Sequence, residues 1–127
     1  MGSRRYQENI VKRSQDTLKS VFVVFVEIKL DMKFDLLEKG HDHEKKLHSL
    51  INAAILNLKE NPSCGIKIPR KLWPLEYIKN YSVNNLWKYD LIKGWRITYT
   101  IKENDNNIFC IILEWLNHKE YEKKFKY

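Results

Sequence analysis

From Trp95 to Ile101 the chain alternates: Trp95, Ile97, Tyr99 and Ile101 are apolar or aromatic, and Arg96, Thr98 and Thr100 stand between them. A period of two sends successive side chains to opposite faces of a strand, so the pattern predicts one buried face and sends Arg96 to the other. Leu86 to Leu91 precedes it as a hairpin partner. Gly94 lies between the two and supplies the turn, because a residue without Cβ takes positive φ at little steric cost.

Elsewhere the pattern changes period. Val21 to Ile28 is dense in β-branched and aromatic residues and reads as a strand buried on both faces. Asp31 to Lys39 fits a short helix stopped by Gly40. Leu47, Leu50, Ile51, Ala54 and Leu58 recur at helical spacing, with Asp42 as the expected N-cap and Asn61-Pro62 as the end. Ser63 to Asn84 carries Pro69 and Pro74 and reads as a connecting arm with a short helical piece at Leu75 to Tyr81. The polar stretch Glu103 to Asn107 is a turn, Ile108 to Trp115 a central strand, and Tyr121 and Phe125 share a face of a closing helix. Residues 1–20 form a poorly legible arm, either loose or a short helix, and 21–127 one domain. The expected fold is α+β: a small antiparallel sheet with the two helices of the N-terminal half packed on one face.

Composition narrows the class. At 127 residues the chain can bury a core without staples, and its longest apolar run, Val21 to Val26, is far shorter than the ~20 residues of a membrane-spanning helix. No charged-then-apolar leader opens it, and Cys64 and Cys110 form neither a disulfide framework nor a CxxC pair; a reduced, cytoplasmic protein with no membrane association is expected. Net charge is +7. Between Ile66 and Lys102, eight cations face only Glu76 and Asp90, so +6 of the +7 is concentrated there. Such a balance suits an acidic or nucleic-acid partner, and it also suits a plainly solvated lysine-rich surface.

The element order, the segment Trp-Lys-Tyr-Asp-Leu, the following Gly-Trp-Arg-Ile-Thr-Tyr and the closing Asn-His-Lys-Glu-Tyr resemble the RelE/HigB-like toxins of type II toxin–antitoxin systems, from about Val21 to the end. The resemblance implies a RelE-like fold, a cognate antitoxin as partner, and cleavage of messenger RNA on the ribosome. It places the family's strand arginine on Arg96, its preceding lysine on Lys88, and its C-terminal histidine and tyrosine on His118 and Tyr121. Two positions depart from the pattern: Asp90 stands where several relatives carry a second cation, and Glu114 adds a further negative charge. The same scaffold also serves relatives that poison DNA gyrase and inactive ones, so a non-catalytic RNA-binding or protein-binding member is the alternative.

Ribonuclease chemistry without a metal or other cofactor needs a base for the 2′-hydroxyl, cations for the charged phosphorane, and an acid for the leaving 5′-oxygen. His118 suits the proton transfers and Arg96 a two-oxygen phosphate contact, with Lys88 as a point charge. Tyr121 or Tyr127 can donate a proton or stack on a base. Trp87 and Tyr89 offer stacking surface, and Lys67, Arg70, Lys71, Lys93, Lys123 and Lys124 offer contacts to the RNA backbone. Each has a plainer role open to it: His118 can cap the last helix, Arg96 can pair with Glu114, Trp87, Trp95 and Trp115 can be core, and Tyr121 with Phe125 can pack the last helix down. His41, His43 and His48 are poorly spaced for a metal and lack an obvious third ligand, so no metal is expected.

Overall fold

The computed structural model describes residues 7–12 and 18–126; of residues 7–12 and 18 it describes the backbone alone. Along the chain these form β1 (Gln7–Lys12), β2 (Leu18–Phe25), α1 (Ile28–Leu37), α2 (Asp42–Glu60), β3 (Ile66–Lys67), α3 (Leu75–Tyr81), β4 (Trp87–Asp90), β5 (Arg96–Glu103), β6 (Asn107–Leu116) and α4 (His118–Phe125). The strands make one sheet in the order β1-β2-β6-β5-β4-β3. The architecture is α+β, and the expected antiparallel meander is present as β4, β5 and β6.

The sheet is nevertheless mixed, which corrects the all-antiparallel expectation: β2 runs parallel to β6, with Val21 opposite Ile108 and Phe25 opposite Ile112. Hairpins announce themselves through local turn residues. A parallel pair needs a crossover, here the long excursion from α1 through β5, and leaves no local signal. The N-terminal arm is corrected as well. Its described part, β1, pairs antiparallel with β2, so the sheet begins before residue 21; residues 1–6 and 13–17 lie outside the described residues.

α1 and α2 pack on one face of the sheet, where Phe34, Ile51, Ala54, Ile55 and Leu58 meet Val23, Ile97, Tyr99, Cys110, Ile112 and Trp115. The helical spacing of Leu47, Ile51, Ala54 and Leu58 accounts for this, since those positions are the buried stripe of α2. The N-cap of α2 is His41, whose backbone amide donates to Glu44 Oε1 at 2.8 Å. Asp42 falls inside the first turn instead, where its charge still favours the amino end of the helix dipole.

The opposite face is covered too, by α3 and α4, where Tyr77, Leu86, Tyr121 and Phe125 pack with Leu113 and Leu116. Thr98 and Thr100 are therefore buried, although alternation marks them as the polar side of β5. A bulge makes this second core possible: Thr98 pairs with Glu114 but Tyr99 pairs with Ile112, leaving Leu113 as the extra residue. One inserted residue turns both Leu113 and Glu114 toward α3 and α4. None of the helices among the described residues is long and apolar enough to cross a membrane.

Candidate functional site

The β4–β5 hairpin closes through Leu91 N, which donates to Trp95 O at 2.7 Å. Gly94 has φ +79°, as its place in the turn requires, and Lys93 joins it in the left-handed region at φ +65°. The turn sets Asp90 directly opposite Arg96 and Lys88 opposite Thr98. All four side chains lie on the face covered by α3 and α4. Helix α4 is nucleated by Asn117, whose Oδ1 accepts from Glu120 N at 2.8 Å while Glu120 Oε1 accepts from Asn117 N at 2.9 Å. Asn117, not His118, is the cap. His118 opens the first turn, and Tyr121 and Glu122 follow on the same side at i+3 and i+4.

Four predicted residues meet here. The Arg96 guanidinium lies 4.7 Å from the Tyr121 ring centroid, and Lys88 Nζ lies 5.8 Å from it. Arg96 Nη1 donates to His118 Nδ1 at 3.1 Å and to Gly94 O at 3.3 Å. A guanidinium has no acceptor, so Nδ1 accepts, and the neutral ring carries its proton on Nε2. That nitrogen points to Glu122 Oε2 at 3.1 Å. Asp90 completes the chain: it takes Lys88 Nζ at 3.1 and 3.2 Å and stands 3.4 Å from Arg96 Nε. Arg96 Nε is buried without a hydrogen bond of its own.

Exposure differs sharply across the cluster. The Lys88 and Arg96 side chains are each 19% exposed, and His118 is 61% exposed. Tyr121 is only 1% exposed, so its ring is a platform under two cations rather than a proton donor to a substrate. Beside the cluster, a groove of about 500 Å³ runs between the end of α2 and the β3–β4 edge, bordered by Asn61, Cys64, Gly65, Lys88 and Asp90. Cys64 is exposed at the groove, and partial desolvation raises its thiol pKa.

The alternative pairing of Arg96 with Glu114 does not form. Glu114 instead accepts from the Tyr77 hydroxyl at 2.5 Å and from Lys124 Nζ at 2.7 Å, and Tyr77 also bonds Thr98 Oγ1 at 2.9 Å. Burial and the neighbouring Glu114 charge hold the Tyr77 phenol well above its usual range. Burial works against the charge of Lys124, but its bonds to Glu114 and Glu76 outweigh this and raise its pKa. Lys124 is thus committed inside the fold, contrary to its expected place at an RNA surface.

Trp87 and Tyr89 lie outside the cluster, on the other face of the sheet. Neighbours on a strand point to opposite faces, so both turn away from Lys88 and Asp90. Trp87 stacks on Tyr99 with centroids 6.1 Å apart, and the Tyr89 hydroxyl accepts from Asn57 Nδ2 at 2.6 Å. Lys67 sits by Trp87, its Nζ 6.0 Å from the indole centroid, and the Arg70 guanidinium lies 5.0 Å from the Trp73 ring. Lys71, Lys93 and Lys123 are exposed outside the cluster, and Tyr127 lies outside the described residues. The second-tier residues Glu122 and Asp90 had readable signals: His118 and Glu122 are four apart in a helix, and Asp90 is two after Lys88 in a strand.

His48 stacks on Phe34 at 4.2 Å instead of approaching His43, and no group of three or more His, Cys, Asp or Glu among the described residues is placed to hold a metal ion. Set against known families, curated proteins and solved structures, the chain gives no match.

Proposed function

We propose that this chain is a RelE-type toxin that cleaves messenger RNA on the ribosome and is held in check by an antitoxin. The observation that carries the reading is the convergence of Arg96, Lys88 and His118 above the buried Tyr121 ring. The element order and the residues Gly94-Trp95-Arg96 and His118 to Tyr121 support it further. In this reading the 2′-oxygen attacks phosphorus and the 5′-oxygen leaves. Arg96 turns from His118 to the phosphate and frees the Nδ1 lone pair, which takes the 2′-hydroxyl proton. Lys88 and Arg96 share the added negative charge. Glu122 holds the imidazole by its Nε2–H. With the Tyr121 hydroxyl buried, the leaving oxygen takes its proton from water or from the Lys88 ammonium. The antitoxin covers the cationic cluster with an acidic or extended segment.

Asp90 favours a second reading. Its carboxylate occupies the seat between the two cations that a phosphate would take, as expected of a non-catalytic member of the same fold. Expression without a partner, followed by mapping of messenger RNA ends on arrested ribosomes, separates the two. The nuclease reading expects new ends that vanish in Arg96→Ala and His118→Ala; intact messenger RNA during growth arrest overturns it.

A further inference from the structure

A second cleft, also about 500 Å³, opens on the side of the sheet that carries Trp87, and Lys67, Asn84, Lys102 and Glu103 border it with the indole. The register explains its shape. Lys67 on β3 and Tyr99 on β5 both pair with Trp87 on β4, so they flank the indole from opposite sides. Asn85 fixes the ring further, its Oδ1 accepting from Trp87 Nε1 at 3.2 Å and from Ile101 N at 2.8 Å. The indole is thus held in place, backed by Tyr99, half-buried, and flanked by the Lys67 ammonium.

The charges of the cleft are just as unequal in commitment. Lys67 and Lys102 are both exposed, and Lys102 Nζ reaches only the Ser82 carbonyl at 3.5 Å. Glu103, the carboxylate at the rim among the described residues, pairs with Lys19 at 2.7 Å. A held aromatic plane with one exposed cation beside it, Lys67, and a second at the rim, Lys102, matches one stacked base and its flanking phosphates. An acidic peptide would use the cations but not the plane.

We propose that this cleft binds a single-stranded RNA segment, one base stacking on Trp87 with phosphates on Lys67 and Lys102. The proposal rests on the chain being an RNA-binding protein and not on its being a nuclease. Trp87 and Lys88 are neighbours facing opposite ways, so one strand reaches both the cleft and the cationic cluster by crossing the sheet edge at β3. Two linked contacts make long strands bind more tightly than short ones.

The test is fluorescence anisotropy of the full chain with 2′-O-methyl oligonucleotides, which cannot be cleaved, of two and of about ten nucleotides, at constant salt. Trp87→Ala is expected to weaken the longer oligonucleotide roughly 5- to 100-fold and Trp87→Phe much less, as one stacked base predicts. Lys67→Glu, at an exposed position that does not endanger the fold, should weaken it about tenfold, while the dinucleotide is affected by Arg96→Ala alone. If the parent binds the long oligonucleotide and only Arg96→Ala weakens it, the cleft proposal fails and the RNA reading stands. Absence of binding by the parent ends both.

Discussion

Replacing Asp90 with asparagine removes the charge that occupies the cationic cluster while keeping the side chain's shape. Asp90 makes two charged contacts, to Lys88 at 3.1 Å and to Arg96 at 3.4 Å. At those separations the raw attraction is roughly 5 kcal/mol per pair for an effective dielectric near 20. Asp90 is 48% exposed, however, and exposed pairs measured by double-mutant cycles retain only ~0.2–1 kcal/mol each. An incoming phosphate must displace both, so the native carboxylate costs RNA about 0.4–2 kcal/mol. Asp90→Asn should therefore tighten binding of a non-cleavable oligonucleotide roughly 2- to 30-fold. It should also steepen the salt dependence, because two ammonium and guanidinium groups now meet phosphate without internal competition. Anisotropy titrations at two salt concentrations measure both effects. Unchanged or weaker binding by folded Asp90→Asn would refute the idea that Lys88 and Arg96 form an anion seat at all.

Other expectations follow from the same geometry. Tyr121→Phe should cleave RNA within about threefold of the parent, because the ring supplies the platform; Tyr121→Leu should lose far more, since each cation–π contact contributes ~0.5–2 kcal/mol. A large loss in Tyr121→Phe would restore the hydroxyl as a proton donor. Tyr77→Phe strips a buried donor from Glu114 and should cost about 1–3 kcal/mol in urea unfolding. The folded-state pKa of Tyr77 lies above its ordinary 10.0, so above pH 10 the unfolded chain loses a proton that the folded one keeps. Stability present below pH 10 then declines as pH rises, by up to ~1.4 kcal/mol per pH unit for this group. Tyr99 and Lys124, also raised, act in the same direction. Urea titrations at pH 9 and 11 should show a shallower decline in Tyr77→Phe than in the parent, and parallel declines would remove Tyr77 from the account.

What the sequence disclosed depended on how local each signal was. The stripe of α2, the Gly94 turn and the strand around Ile97 and Tyr99 each arise within one element, and each was legible. The parallel pairing of β2 with β6 joins residues far apart in sequence, and the bulge at Leu113 has no compositional mark. At the site, Arg96, Lys88, His118 and Tyr121 were singled out through the resemblance to the RelE/HigB-like toxins, and the structure sets them side by side. The opposite facing of Trp87 and Tyr89 was available from the alternation already applied to β5. What no pattern foretold was commitment: Lys124 looks as free in sequence as Lys123, until α4 sets it against Glu114 and Glu76.

The two glycines at the borders of the site separate backbone strain from steric contact. At Gly94 an added Cβ would stand 3.4 Å from His118 Cβ, an ordinary contact, so the penalty of Gly94→Ala lies in φ +79° and amounts to ~1–2 kcal/mol. Gly65 has an unremarkable φ of −79°, yet its added Cβ would lie 2.5 Å from the Lys88 carbonyl oxygen and collide with the Tyr99 hydroxyl. That hydroxyl accepts from Gly65 N at 3.1 Å and donates to Pro62 O at 2.9 Å, so it cannot yield without breaking the bonds that tie the segment leading into β3 to β5. Gly65→Ala should therefore cost about 1–3 kcal/mol and displace β3, carrying Lys67 away from Trp87. Hydrogen exchange should show loss of protection at Ile68 N, which donates to Leu86 O in the parent, with β5 and β6 unaffected. Gly94→Ala should leave Ile68 protected. A Gly65→Ala protein as stable as the parent, with Ile68 still protected, would mean that β3 tolerates the shift and that the cleft does not depend on the close approach at Gly65.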